Sequence, residues 1–377
     1  MSVNALSFCW GRDESSGPTK GNYSYRRTRY GYYKMIKDRI KTIDSLKLVA
    51  IFFIVTIHSM PFWSLEPLGD STLFLAINQA CRFAVPAFFV LSGYLYATNF
   101  NHERPFHSYF RTTKRLGFLY VFWCLIYLIP YNIALIPTGG MRASIDFSNW
   151  HYQAWTSGWQ NFFLGGSKAH LWFLPALWLA VSLSTPLIVQ KNKVLLLVVA
   201  ITLFLLALFG GPYKETPVGI DLSIYTRNGP FFSMVFFTAG VVLAGIRKTQ
   251  RILLYSYIIF FLGFFWHFVE FFWLRKHFGS YLINDFNSGT LAYGIGAAML
   301  GIYGAKPLKN AWLEKNGRYA LGIYLLHMFV IDFFMPLRIP LANNPFWEVG
   351  KVFVFFLLTL WLVKALVKYP MFKKVLE

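Results

Sequence analysis

The stretch Asp44-Ser-Leu-Lys47-Leu-Val-Ala-Ile-Phe-Phe-Ile-Val-Thr-Ile-His58 is an apolar run with a lysine near one end and a histidine at the other. It reads as a membrane-crossing helix. Eleven residues separate Lys47 from His58. That is about three helical turns, so the two side chains project within about 20° of each other, about 16 Å apart along the axis. Ionisable groups in such a helix are costly and tend to face the bundle interior or a wet cavity. A cation at the inner end and a titratable imidazole near the outer end point to a path through the membrane with chemistry in it. The plain alternative is a snorkelling lysine and a histidine hydrogen-bonded in the packing.

The rest of the chain places this helix in a polytopic membrane protein. Of 377 residues, 56% are hydrophobic and 20% aromatic, and only 14% are charged, against roughly 25% charged in ordinary soluble domains. Apolar runs of membrane-helix length recur. They predict ten spans, at 46–63, 73–98, 116–136, 171–189, 194–210, 230–246, 252–274, 289–305, 319–337 and 350–367. A net charge of +20 could pass for a nucleic-acid footprint. With both termini cytoplasmic, however, 27 of the 36 Lys and Arg fall in the two tails and the inner loops. That bias is the positive-inside rule, so the basic excess is topology and no nucleic-acid partner is expected. The expected fold is an all-α membrane protein, a bundle of about ten transmembrane helices with both termini cytoplasmic.

Residues 1–38 are expected to be a polar, basic tail without a fold of its own, and 39–377 the transmembrane domain. The tail has no apolar core of a cleaved signal peptide. Met35 offers a second start just before the first span, so residues 1–34 are expected to be a dispensable tail or an over-extended reading frame. Cys9, Cys81 and Cys124 show neither disulfide nor metal spacing and read as packing residues. The long outer loop at 137–169 carries Trp150, His151, Trp155 and Trp159, an interfacial belt or a platform for a sugar ring.

Further motifs stand on other spans. The second contains Arg82-Phe-Ala-Val-Pro86-Ala-Phe-Phe-Val-Leu-Ser92-Gly93-Tyr94. Arg82 needs a partner or a polar cavity, Pro86 frees a backbone carbonyl, and Ser92-Gly93 permits a close helix approach. At the cytoplasmic mouth of the third span, Arg111, Lys114 and Arg115 recur at i, i+3 and i+4 and form one cationic face. Such a face suits phosphate or serves topology against lipid headgroups. The fourth span opens with His170-Leu-Trp172-Phe173, and the ninth carries Tyr324 and then His327 near mid-membrane. On the seventh, His267 and Glu270 lie at i, i+3 spacing, where the carboxylate could orient an imidazole, act as an acid, or form a structural ion pair.

In order, Ile43-Asp44-Ser-Leu-Lys47 with His58, the Arg82 to Tyr94 segment, His170-Leu-Trp172-Phe173 and Leu321-Gly322-Ile323-Tyr324-Leu-Leu-His327 resemble the acyltransferase-3 family of integral membrane acyltransferases, especially its polysaccharide O-acetyltransferase branch. The resemblance implies a ten-helix enzyme of the bacterial inner membrane. It would move an acetyl group from cytoplasmic acetyl-CoA, a donor substrate rather than a tightly bound cofactor, to a hydroxyl of an extracytoplasmic glycan or its lipid-linked precursor. His58 matches the family's proposed catalytic histidine, and Arg111 and Arg115 match its donor-associated basic stretch. Lys47 stands where the family commonly has arginine, which keeps the charge and loses the planar fork. Arg82, His170, Trp172, Tyr324 and His327 are taken as substrate-binding residues.

The bottom-up chemistry is compatible, because neutral imidazole is a suitable base for an acceptor hydroxyl near pH 7. No Gly-x-Ser-x-Gly elbow is present, so a serine acyl-enzyme is unsupported. Asp44 lies about 21 Å down the helix axis from His58, so an imidazole partner must come from another helix; Glu270 is the expected candidate. No metal is expected. The rival reading is a secondary transporter with a Lys47, His58, Arg82, Glu270 and His327 relay. A scaffold without chemistry would leave His58 and the basic face unused.

Overall fold

A computed structural model describes residues 23–27, 33–37, 40–63, 72–279, 284–337, 340–341 and 344–377. The chain divides into two units, Met1–Ile40 and Lys41–Glu377. In the first, where no fold was expected, β1 (Tyr23–Arg27) pairs antiparallel with β2 (Tyr33–Lys37), with Tyr25 opposite Met35. The tyrosines and Ile36 that make these strands are residues that favour a pleated backbone.

Among its described residues the second unit is built of helices and connections, with no strand. Its long helices are α1 (Lys41–Ser59), α2 (Thr72–Ala80), α3 (Ala84–Thr98), α4 (Pro105–Ile126), α5 (Ile136–Thr156), α6 (Phe173–Val189), α7 (Lys193–Phe209), α8 (Pro230–Leu243), α9 (Gln250–Phe278) and α10 (Gly289–Tyr303). After the short α11 (Ala311–Asn316) come α12 (Ala320–Phe333), α13 (Pro345–Leu366) and α14 (Pro370–Leu376). A helix stands at each of the ten expected positions. Among the described residues, five segments are long and apolar enough to cross a membrane: Lys41–Ser59, Thr72–Thr98, Ala169–Val189, Gln250–Phe278 and Pro345–Leu366. On α9, Phe261, Leu262, Phe265 and Trp266 are all more than half exposed. A belt of large apolar side chains turned outward is the surface lipid requires.

Between helices in lipid, tight packing replaces the hydrophobic effect as the source of cohesion. A Cβ on Gly93 of α3 would stand 2.0 Å from the Phe237 carbonyl oxygen of α8, and one on Gly240 of α8 the same distance from that of Val90. The close approach expected at Ser92-Gly93 is therefore real and reciprocal. The second expected span departs from a single helix. It breaks at Cys81–Phe83, where Arg82 N–H bonds back to the Gln79 carbonyl and Ala84 N–H to that of Cys81. Pro86 thus lies in the first turn of α3 rather than in mid-helix, and the carbonyl it frees is that of Arg82, at the break. α1 sits centrally, packed against α3, α10, α12 and α13.

The third expected span is displaced. α4 starts eleven residues before the expected 116 and ends ten before 136, because the basic face that reads as a loop in hydropathy continues the helix. The expected outer loop at 137–169 contains most of α5.

Candidate active site

His58, next to last in α1, lines a cavity of about 500 Å³. α12 brings His327 beside it, with ring centroids 5.1 Å apart. His170 comes from the tight turn Ala169–Trp172 that leads into α6. Its ring centroid is 5.0 Å from that of His327 and 6.4 Å from that of His58. Three histidines separated by 269 positions of sequence thus form one cluster.

Backbone contacts orient two of them. His327 Nδ1 lies 2.8 Å from the Tyr324 carbonyl oxygen and 3.1 Å from that of Ile323. Carbonyls only accept, so in the neutral ring Nδ1 carries the hydrogen and Nε2 keeps its lone pair. That Nε2 is buried without a protein partner among the described residues, as are both ring nitrogens of His170. The Tyr324 hydroxyl donates to the His170 carbonyl oxygen at 2.8 Å and pins the turn. Among the described residues, no three His, Cys, Asp or Glu side chains are disposed to hold a metal ion. The cluster can accept and pass protons.

The helix break sets the opposite wall. Arg82 Nε donates to Asn78 Oδ1 at 2.9 Å, and its Nη1 to Asp285 Oδ1 at 2.6 Å. Asp285 Oδ2 accepts from Arg227 Nη1 at 2.9 Å and from the Tyr225 hydroxyl. The Arg227 guanidinium also lies 4.7 Å from the Trp172 ring centroid. Burial opposes ionisation of Asp285, yet Arg227 and Arg82, with the Tyr225 hydroxyl, hold its pKa down at about 2. The arginine flagged by the sequence has both a partner and a cavity.

Two further ion pairs brace the site. Lys168 Nζ, just before the His170 turn, lies 2.7 Å from Asp332 Oδ2 on α12 and donates to His151 Nε2 of α5 at 2.9 Å. Asp332 lines the cavity and also accepts from the Tyr131 hydroxyl. Burial pulls the Lys168 ammonium below its ordinary value, with Asp332 opposing. Burial and then the Lys168 charge push His151 down to about 3, so that ring is neutral. The second pair, Glu348 and Lys351 on α13, closes at 2.7 Å. Glu348 accepts from Phe62 N–H, and Lys351 donates to the Met60 carbonyl oxygen at 3.4 Å. Met60 and Phe62 have φ of 47° and 64°, a left-handed backbone unusual outside glycine. The pair from α13 thus holds the strained turn directly after His58.

The structure brings together His58, Arg82, His170, Trp172, Tyr324 and His327 from the expected set. It does not bring Glu270. That carboxylate accepts from Ser288 N–H at 2.9 Å, Gly289 N–H at 2.8 Å, the Ser288 hydroxyl and the Tyr213 hydroxyl. It caps the start of α10, where unsatisfied N–H groups and the helix dipole favour an anion. His267 does not meet Glu270 either. It bonds Gln79, Asn287 and Thr290. Lys47 pairs with Asp44 at 3.5 Å, and Arg111, Lys114 and Arg115 stand exposed on one face of α4. In the 137–169 segment, Trp150 and Trp159 are exposed, but His151 is buried on Lys168 and does not belong to a belt.

Reading the sequence missed Asn78, Tyr225, Arg227, Asp285, Lys168, Asp332, Glu348 and Lys351. For Asp332 and Lys351 a signal existed, since both are ionisable residues within or at the edge of an expected span. For Asp285 and Arg227, in polar connections, no periodicity marks them.

A helical membrane protein with a buried histidine cluster and ion-paired arginines around one cavity is the class these features define. The chain belongs to the acyltransferase-3 family, whose acyltransferase-domain model matches residues 40–365. It is also 27% identical, over 60% of its length, to an amino-acid racemase of Enterococcus faecalis, covering 33% of that protein. It is 28% identical, over 59% of its length, to a serine/alanine racemase of Enterococcus gallinarum, covering 31% of that protein. The chain thus spans about a third of the length of these curated relatives. No solved structure matches it.

Proposed function

We propose that this chain is a membrane acyltransferase, and specifically an O-acetyltransferase of the bacterial inner membrane with ten spans and both termini cytoplasmic. It transfers acetyl from cytoplasmic acetyl-CoA to a hydroxyl of a surface glycan or its lipid-linked precursor. The observation that carries the reading is the position of His58, in the cavity wall with His327 and His170 behind it. Neutral His58 takes the acceptor hydroxyl proton as the oxygen attacks the thioester carbonyl. The C–S bond then breaks, and the CoA thiolate takes the proton from the imidazolium. His327, whose ring centroid lies 5.1 Å from that of His58, takes the role expected of Glu270: its Nδ1 is held by backbone, and its unpartnered Nε2 keeps a lone pair that can accept from the His58 imidazolium as it forms.

The cavity lining suits a neutral polyol. Arg82 and Arg227 are paired with Asp285, Asp332 with Lys168, and Lys351 with Glu348. Every one of these charges has an opposite partner, with two arginines sharing Asp285, and donors and acceptors for hydroxyls abound. Trp172, Tyr225 and Trp347 add ring faces. Arg111 and Arg115 on α4, with Lys47, are assigned to donor phosphates. The transporter relay draws no support from the geometry, since Glu270 is committed to the start of α10. Racemisation, named for relatives of which the match covers only about a third, is not part of the reading.

The test is mass spectrometry of surface glycans from wild-type and deletion strains. The reading expects one acetyl mass to vanish from a defined sugar in the deletion strain. Identical glycans in both strains would remove the acceptor assignment.

A further inference from the structure

Beside the main cavity lies a second one of about 240 Å³, lined in part by Lys214, Asp221, Asn284 and Phe286. Three residues, Tyr225, Arg227 and Asp285, line both. They are also the residues tied together by the Asp285 carboxylate. One hydrogen-bonded wall therefore separates the histidine-containing chamber from a neighbouring chamber built from the 210–227 connection and the approach to α10.

The chemistry of the second chamber resembles that of the first. Lys214 pairs with Asp221 at 3.2 Å and Arg227 with Asp285 at 2.9 Å, so each cation that lines it already has a carboxylate partner, Asp285 being shared with Arg82. It is polar nonetheless. Asn284 is only 4% exposed, and its Nδ2 has no protein partner among the described residues. A buried amide donor left unsatisfied costs about 1–3 kcal/mol unless a ligand or water meets it. Pockets that hold drug-sized ligands measure about 300–1,000 Å³. The second chamber is below that range and fits one small ring.

We propose, resting on the glycan-acceptor reading above, that the second chamber is an acceptor subsite for the sugar next to the one acetylated. The substrate class is then a glycan of at least two units. The unit bearing the reactive hydroxyl lies by His58, and its neighbour lies beyond the Tyr225–Arg227–Asp285 wall, bonded by Asn284 and the Lys214–Asp221 pair. Single sugars fill only the first chamber and bind weakly.

Surface glycan from the deletion strain, partially hydrolysed and separated into single-unit and longer fractions, is the probe. Purified enzyme with radiolabelled acetyl-CoA should label the longer fractions with kcat/KM at least about tenfold above the single-unit fraction. Asn284→Leu, and separately the exposed Asp221→Ala, should each cut that ratio by about fivefold or more, through a raised KM on the longer fractions. A purely structural defect would lower both fractions alike and leave the ratio intact. Equal use of single-unit and longer fractions by the wild type, or an unchanged ratio in both variants, would overturn the subsite while leaving the acetyltransferase reading in place. No label in any fraction would overturn both.

Discussion

Asp285 shows how much one side chain can organise here. Its two oxygens hold Arg82, Arg227 and Tyr225, so replacing it leaves two guanidiniums near the cavity without their counter-ion. Removing one member of a buried pair typically costs about 3–5 kcal/mol. Asp285→Asn should therefore lower the melting temperature of purified enzyme and weaken acceptor binding. A variant that melts with the wild type and binds acceptor normally would show the cluster to be incidental. The pH dependence has a definite sign. The folded pKa of about 2 lies below the ordinary 3.8, so this group's contribution is present above about pH 4 and lost as pH falls through about 2. Acid losses of activity above pH 4 must come from other groups. The sequence made Arg82 conspicuous, because a guanidinium in an apolar run demands an explanation. Its partner, 203 positions away in a short connection, has no local pattern to announce it.

At the scale of elements, the α3–α8 crossing and the break before α3 decide where the site's arginine stands. Gly93→Ala should push the two backbones apart, since its Cβ would meet the Phe237 carbonyl oxygen rather than a yielding side chain. Overpacking of this kind costs about 1–3 kcal/mol. A thermal melt in detergent should show the loss, and an unchanged melt would mean the helices separate freely. The bracing pair gives a second check. Lys168→Met leaves Asp332 buried and unpaired and should destabilise by about 3–5 kcal/mol, whereas Lys168→Met with Asp332→Leu should recover part of it. A double variant no better than Lys168→Met would contradict the pairing. Helix positions were legible because apolar runs of membrane length are unmistakable. The break at Cys81–Phe83 was half legible through Pro86. The early start of α4 was not, because a basic amphipathic turn and a cytoplasmic loop have the same hydropathy. Glu270 was misread for a related reason, since sequence spacing cannot distinguish a carboxylate that orients an imidazole from one that caps another helix.

For the whole molecule, the proposed reaction needs a donor held on the basic face of α4 and an acceptor held in the cavity beside His58. Arg111→Ala and Arg115→Ala should each weaken donor binding by about 1.5–3 kcal/mol if they bond phosphate. The KM for acetyl-CoA should rise, more so at high salt, with acceptor affinity unchanged. Unaltered donor KM in the double variant would return both residues to a topological role. Of the site, the three histidines were each visible as single polar residues in apolar runs. Their convergence was not, because it depends on α1, α12 and the turn before α6 meeting in space. That convergence is the central claim, and His58 tests it most directly. In the deletion strain complemented with His58→Gln, glycan acetyl content should stay at the deletion level, with membrane abundance equal to wild type and purified activity down about 10²–10⁴-fold. Near-wild-type acetylation by a well-expressed His58→Gln enzyme would contradict the account.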